Sequence, residues 1–193
     1  TNTKGDVLLE ARHLTVPSRT PFAVALKNVC LKVRSGEVLA IAGVAGNGQG
    51  ELFDALSGEY PVVDPAAVSI RGKAAGNLGI TARRLMGAGF VPEERHGHAA
   101  VTTLPLSDNL VLARSQSDRK TFLAGGLLGI IRQAVVRIAS KRISETMDVR
   151  KSGENPAAGS LSGGNLQKYI VGRELDRQPA VLIVNQPTWG VDA

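Results

Sequence analysis

Apolar and polar residues alternate in short runs along the first third of the chain, and turn residues separate the runs. Residues 7–14, Val-Leu-Leu-Glu-Ala-Arg-His-Leu, read as a first strand, followed by the turn-rich piece Pro17-Ser18-Arg19-Thr20-Pro21. Val29, Leu31 and Val33 then alternate with Cys30, Lys32 and Arg34. That period of two predicts a half-buried strand with its basic residues facing outward. Ser35-Gly36 turns the chain into an apolar run, and residues 37–42 are expected to form a buried central strand. Residues 68–70 look like one more strand of the first β-layer.

Further on the period changes. Residues 81–86 are helical in pattern, and residues 89–91 form a short strand that Pro92 ends. A helix is expected to open at Ser107, taken as its N-cap. Ile130, Ile131, Ala134, Val135, Ile138, Ile143 and Met147 recur at helical spacing among Arg132, Arg137, Lys141 and Arg142, which predicts an amphipathic helix over residues 127–147. The glycine-rich turn at residues 160–165 opens a helix over 166–175. Residues 180–184 form a fully apolar strand suited to the middle of a parallel sheet. These elements make an α/β chain. The 193 residues suit a single domain. Its core is expected in residues 1–93 and 160–193, with a helical subdomain at about 94–159.

Composition narrows the function classes only a little. Lys and Arg number 23 against 17 Asp and Glu, a net charge of +6, and the basic residues are dispersed rather than striped. With 4% aromatic residues a base-stacking platform is disfavoured, and no nucleic-acid partner is expected. Cys30 is the one cysteine, which excludes an intrachain disulfide and a cysteine-based zinc site; it is expected to be a small buried hydrophobe. No leader pattern opens the chain. The longest apolar stretch, residues 122–131, contains three glycines and is too short to cross a bilayer. Any membrane link is expected to come through a partner. His96 and His98 read as exposed loop histidines, because no third metal ligand is evident.

The chemistry concentrates in two glycine-rich turns and one strand end. Gly43-Val44-Ala45-Gly46-Asn47-Gly48-Gln49-Gly50 follows an apolar run and precedes the helix beginning near Glu51. Gly43 and Gly48 fit the phosphate-binding spacing G-x-x-x-x-G-K-[ST], but Gln49 and Gly50 stand in the lysine and hydroxyl positions. More than a hundred residues on comes Leu161-Ser162-Gly163-Gly164-Asn165-Leu166-Gln167-Lys168. The apolar strand after it ends in Asn185-Gln186-Pro187-Thr188-Trp189-Gly190-Val191-Asp192.

In this order these landmarks resemble the nucleotide-binding domain of an ABC transporter, with its Walker A, signature, Walker B and D-loop motifs. The resemblance runs from about Leu8 to Asp192. It implies a P-loop NTPase-like ABC ATPase fold with an antiparallel β-subdomain and an inserted helical subdomain. Gly46-Asn47-Gly48-Gln49, Phe90-Val91-Pro92-Glu93-Glu94-Arg95 and Gln186-Pro187-Thr188 are similar to the second, C-terminal ATPase domain of tandem proteins serving bacterial importers of simple sugars and nucleosides. The partners so implied are an N-terminal ATPase domain on the same polypeptide, transmembrane permease subunits and, indirectly, a solute-binding protein. The place implied is the cytoplasmic face of the bacterial inner membrane.

The resemblance assigns ATP to Gly43, Gly46, Asn47, Gly48, Gln49, Gly50 and Glu51, where backbone N–H groups and a helix N-terminus can hold phosphate weakly. Losing the lysine costs about tenfold to a hundredfold in affinity. Gly50 offers no hydroxyl to Mg²⁺. Asn185 stands where an aspartate would hold Mg²⁺ through water, and Gln186 where a glutamate would act as general base. Loss of general-base catalysis alone costs about 10² to 10⁴ in rate. No catalytic residue and no metal ligand is therefore assigned. Glu93 aligns with the glutamine that senses metal and membrane partner. Phe22 reads equally as an adenine-stacking aromatic or a core residue. Ser162, Gly163 and Gly164 keep the signature, and Asn165 stands in place of its common glutamine, as in the sugar-importer group; with the D-loop Asp192 these four are expected to serve ATP held by the partner domain. Two other readings stand beside this one: a catalytically active transport ATPase domain and, more remotely, a nucleic-acid-associated ABC ATPase.

Overall fold

The computed structural model describes residues 5–94, 97–125 and 129–186. The chain divides into two compact units, one reaching Phe90 and taking in Pro179–Asn185, the other formed by Val91–Gln178 with Gln186.

The first unit opens with β1 (Val7–Val16) and β2 (Leu26–Arg34). They join β3 (Val68–Ile70) and β4 (Lys73–Ala74) in an antiparallel sheet of order β2-β1-β3-β4. Leu9, Ala11 and Leu14 of β1 and Val68 and Ile70 of β3 are buried. They share a core with Phe53, Ala55 and Leu56 of α1 (Gln49–Ser57). α2 (Ile80–Leu85) leads to β5 (Ala88–Val91), which pairs with β8 (Val181–Val184), and α1 packs against β8. On the sheet, Glu10 bonds Arg12 at 2.7 Å and Lys32 at 2.9 Å. The Arg12 bond and then the Lys32 bond hold the Glu10 carboxyl down at a pKa of about 2.

Two expectations for this unit fail. Residues 37–42 carry no regular structure, and Val38 and Ile41 are 93% and 53% exposed. Apolar composition marks a segment as able to be a strand, but a strand exists only in a ladder, and these residues are in none among those described. Cys30 is exposed rather than buried. It lies on the outward face of β2 with Lys32, so the alternation of that strand places it better than the general habit of cysteine does.

The second unit is mainly helical. It contains α3 (Leu106–Arg114), α4 (Arg119–Phe122), a short hairpin of β6 (Leu123–Ala124) and β7 (Ile130–Ile131), then α5 (Gln133–Thr146) and α6 (Gly163–Leu175). α5 packs against both α3 and α6. The amphipathic helix is thus shorter than its apolar spacing suggests, because Ile130 and Ile131 pair with Ala124 and Leu123 instead. Ser107 is not an N-cap. Pro105 takes that place, and the Ser107 N–H donates to Asn155 Oδ1 at 3.0 Å. The three helices are tied by polar groups. The buried Tyr169 hydroxyl lies 2.8 Å from Ser140 Oγ and donates to the Leu106 carbonyl, also at 2.8 Å. Asp176 accepts from Arg114 at 2.5 Å and from Arg142 at 2.7 Å. No helix among the described residues is long and apolar enough to cross a membrane.

Candidate functional site

The turn before α1 is built by glycine. Gly46 and Gly48 hold φ of 84° and 99°, a left-handed backbone that side chains disfavour. Gly48 is also the N-cap of α1 and offers no side chain to its first N–H groups. Residues 43–50 contain no charged side chain. The turn therefore presents backbone dipoles and one amide pair, Asn47 and Gln49, to whatever approaches it.

Those groups are partly engaged already. Gln49 Nε2 donates to the Val44 carbonyl at 3.0 Å, and Gln49 Oε1 accepts from the Asn47 N–H at 3.2 Å. The side chain therefore folds back across the turn. Gly43 makes room for it: a Cβ at Gly43 would lie 2.3 Å from Gln49 Nε2. Glu51, in the first turn of α1, accepts from the Val24 N–H at 2.9 Å and so ties the loop between β1 and β2 to the helix. Its negative charge complements the positive end of the helix. Gly50 contributes backbone only. Phe22, in the loop that Glu51 anchors, is 96% exposed, which removes the core alternative for that residue.

The other end of α1 is closed by a residue that no sequence signal singled out. Arg83 is fully buried. Its Nη1 donates to the carbonyls of Ala55 at 2.5 Å and Leu56 at 2.8 Å, its Nη2 to Gly76 at 2.8 Å and its Nε to Leu78 at 2.9 Å. A cation at a helix C-terminus is favourable. Burial nevertheless pulls its pKa down to about 10.

Asn185 follows β8 in the first unit and is half-buried. Gln186 belongs with the second unit, is exposed and has a φ of 48°. Glu93 is half-buried just after β5. Neither amide side chain can take a proton from water at neutral pH, since the groups are an amide oxygen and an amide N–H₂. Asp192 lies outside the described residues, as do Arg95 and His96. His98 is exposed. No group of three His, Cys, Asp or Glu side chains that could hold a metal occurs among the described residues.

The second glycine turn has a different character. Ser162 is the N-cap of α6, and its Oγ accepts from the Asn165 N–H. Asn165 Nδ2 donates to the same oxygen at 2.8 Å, while Asn165 Oδ1 accepts from the Arg150 N–H at 2.8 Å. The turn is thus capped in the ordinary way and also moored to the loop after α5. Its first two helical residues, Gly163 and Gly164, carry no side chain at the positive end of α6. Arg150 carries no signal in the sequence, because it acts through its backbone N–H and no side-chain motif records that.

Residues 26–189 match the family described as ABC transporter. The chain is 37% identical over 169 residues to the guanosine import ATP-binding protein NupO of Bacillus subtilis, covering 86% of this chain and 32% of that protein. It is 35% identical over 187 residues to the nucleoside import ATP-binding protein NupA of Lactococcus lactis, covering 97% of this chain and 36% of that one. The ribose import ATP-binding protein RbsA of Halalkalibacterium halodurans is 34% identical over 193 residues, with 100% and 36% covered. The chain thus spans about a third of the length of these relatives. Among solved structures, the dimeric form of a bacterial ABC transporter cassette superposes with a TM-score of 0.75 at 19% identity, covering 96% of this chain and 76% of that one. A nucleotide-free ATP-binding cassette gives 0.70 at 19%, covering 94% and 69%.

Proposed function

We propose, from the premise that this chain belongs to the ABC transporter family as an ATP-binding domain, that it serves an importer of simple sugars or nucleosides as a non-hydrolysing half of the ATPase. Its relatives are named for sugar and nucleoside import, which favours those solutes. In this reading the chain is the C-terminal ATPase domain of a tandem polypeptide. It docks on transmembrane permease subunits at the cytoplasmic face of the membrane and meets the solute-binding protein only through them. The bounds given above, a core at residues 1–93 and 160–193 around a helical subdomain, are part of the same proposal.

One observation carries the division of labour. The signature turn keeps its serine and both glycines, with Ser162 capping α6 and Asn165 bonded to it, while the phosphate turn carries Gln49 and Gly50 in place of a cation and a hydroxyl. ATP in the chain's own site is then held weakly by the backbone of residues 43–50, with Mg²⁺ lacking its usual side-chain ligands. Asn185 and Gln186 replace the acids that would anchor Mg²⁺ and activate water, so no residue here catalyses hydrolysis. Ser162, Gly163, Gly164 and Asn165 instead present the positive end of α6 to ATP bound by the partner domain. Asp192 is assigned to the facing D-loop. Phe22, exposed beside the phosphate turn's helix, is assigned to the adenine ring, and Glu93 to communication with the permease.

Mg-ATP turnover tests this. The chain alone should release no phosphate above background. In the assembled transporter, Ser162→Arg should lower ATP hydrolysis by about 10² or more, the effect of losing an oriented donor at a developing charge. Turnover by the isolated chain at a transporter's rate would refute the proposal. So would an unimpaired Ser162→Arg assembly.

A further inference from the structure

We propose that Gln49 is an internal latch: its amide occupies the phosphate turn, and nucleotide enters only by displacing it. The proposal rests on the reading of residues 43–50 as a nucleotide site. Three observations converge on it. The amide nitrogen donates to Val44 on one side of the turn, and the amide oxygen accepts from Asn47 on the other. The bare Cα of Gly43 lies where the folded amide needs space, at 2.3 Å from Nε2 to an added Cβ. Glu51 supplies the negative charge at the start of α1 while bonded to Val24. The Asn47 N–H that would meet a phosphate oxygen is therefore already taken, and the helix end already faces a carboxylate.

The residue type matters. A planar amide carries a donor and an acceptor on one rigid end, so it can bridge a carbonyl and an N–H across a narrow turn. A lysine has no acceptor and can make only the first of these bonds; its charge would favour the phosphate instead. Glutamine at position 49 thus does more than remove a cation. It gives the turn an occupant of its own, and the latch makes the empty state the resting state of the loop.

The test turns on the sign of one effect. If Gln49 were a nucleotide ligand, shortening it would weaken binding; as a latch, shortening it strengthens binding. Isothermal titration of the 193-residue chain with Mg-ATP and with inorganic pyrophosphate would compare wild type, Gln49→Ala, Gln49→Met and Gln49→Lys. Circular dichroism checks that each is folded. Both Gln49→Ala and Gln49→Met should bind pyrophosphate and Mg-ATP about tenfold more tightly than wild type, since two neutral hydrogen bonds no longer compete. Hydrogen exchange gives a reading independent of ligand: the Asn47 amide should be protected in wild type and exchange faster in both variants. Equal or weaker binding by Gln49→Ala and Gln49→Met, with Gln49→Lys binding well, overturns the latch and leaves the nucleotide site standing. Absence of binding by every variant, Gln49→Lys included, overturns the nucleotide site and the latch with it. An Asn47 amide as exchangeable in wild type as in Gln49→Ala also overturns the latch.

Discussion

Replacing Arg83 by methionine isolates the clamp at the far end of α1. Methionine fills much of the same volume with no donor. The guanidinium makes four hydrogen bonds, to the carbonyls of Ala55, Leu56, Gly76 and Leu78. Bonds from a charged donor contribute about 1.5–3 kcal/mol each, so the four exceed the cost of burial. That cost follows from burial, which pulls the guanidinium pKa down from its ordinary value to about 10 and so corresponds to about 3 kcal/mol against the charged form. The variant escapes the burial cost but leaves carbonyls in the core without donors. Some regain water and others do not, at about 1–3 kcal/mol apiece. A net loss of about 3–5 kcal/mol is expected, a large share of a domain's usual 5–15 kcal/mol. Urea unfolding followed by circular dichroism should show the midpoint falling with the slope unchanged. Arg83→Lys, which keeps the charge but reaches fewer carbonyls, should fall between the two. A loss below about 1 kcal/mol for Arg83→Met would refute the accounting, because a fully buried cation with four partners cannot be removed so cheaply if those bonds matter.

Tyr169 should make the second unit sensitive to alkali. Burial pushes its phenol up to about 12. Below about pH 10 folded and unfolded chains both keep the proton. Between about pH 10 and 12 only the unfolded chain loses it, so stability falls with rising pH by up to about 3 kcal/mol. Tyr169→Phe lacks that fall, and urea midpoints measured across the range should separate the two proteins; parallel curves would contradict the assignment. Gly172→Ala should destabilise the packing of α6 on α5, because the new Cβ would lie 2.3 Å from Met147 Cγ and 3.0 Å from Ile143 Cγ2. Overpacking costs about 1–3 kcal/mol against about 1 kcal/mol gained in helix propensity. A thermal midpoint equal to or above wild type would show that Met147 moves aside freely.

The parts of the chain legible in its sequence are those governed by local rules. Gly43 to Gly48 and Ser162 to Asn165 were readable because a tight turn and a helix cap demand particular residues at fixed spacing. The strand bearing Val29, Leu31 and Val33 was readable from its period. What escaped depends on partners distant in sequence. A helical arginine such as Arg83 ordinarily reads as surface, and only the return of the chain past Ala55 and Gly76 makes it a clamp. Ser107 has the chemistry of a cap, yet its N–H goes to Asn155 and the cap lies two residues earlier, at Pro105. The habit of its residue type puts Cys30 in the core, and the register of its own strand puts it outside. The fold-back of Gln49 was invisible because a pattern records which residue replaces lysine, not where its side chain goes.

α6 is fastened along its whole length: Asn165 to Arg150 at the start, Tyr169 to Ser140 and Leu106 within, Asp176 to Arg114 and Arg142 at the end. A helix of 13 residues, about 20 Å long, pinned at its start to the loop after α5 and further on to α3 and α5 themselves, has little freedom to pivot alone. Ser162 is consequently the tip of a stiff tool whose handle is α3 and α5. A shift of either helix is passed to that tip through these bonds, where an unbonded turn would yield instead.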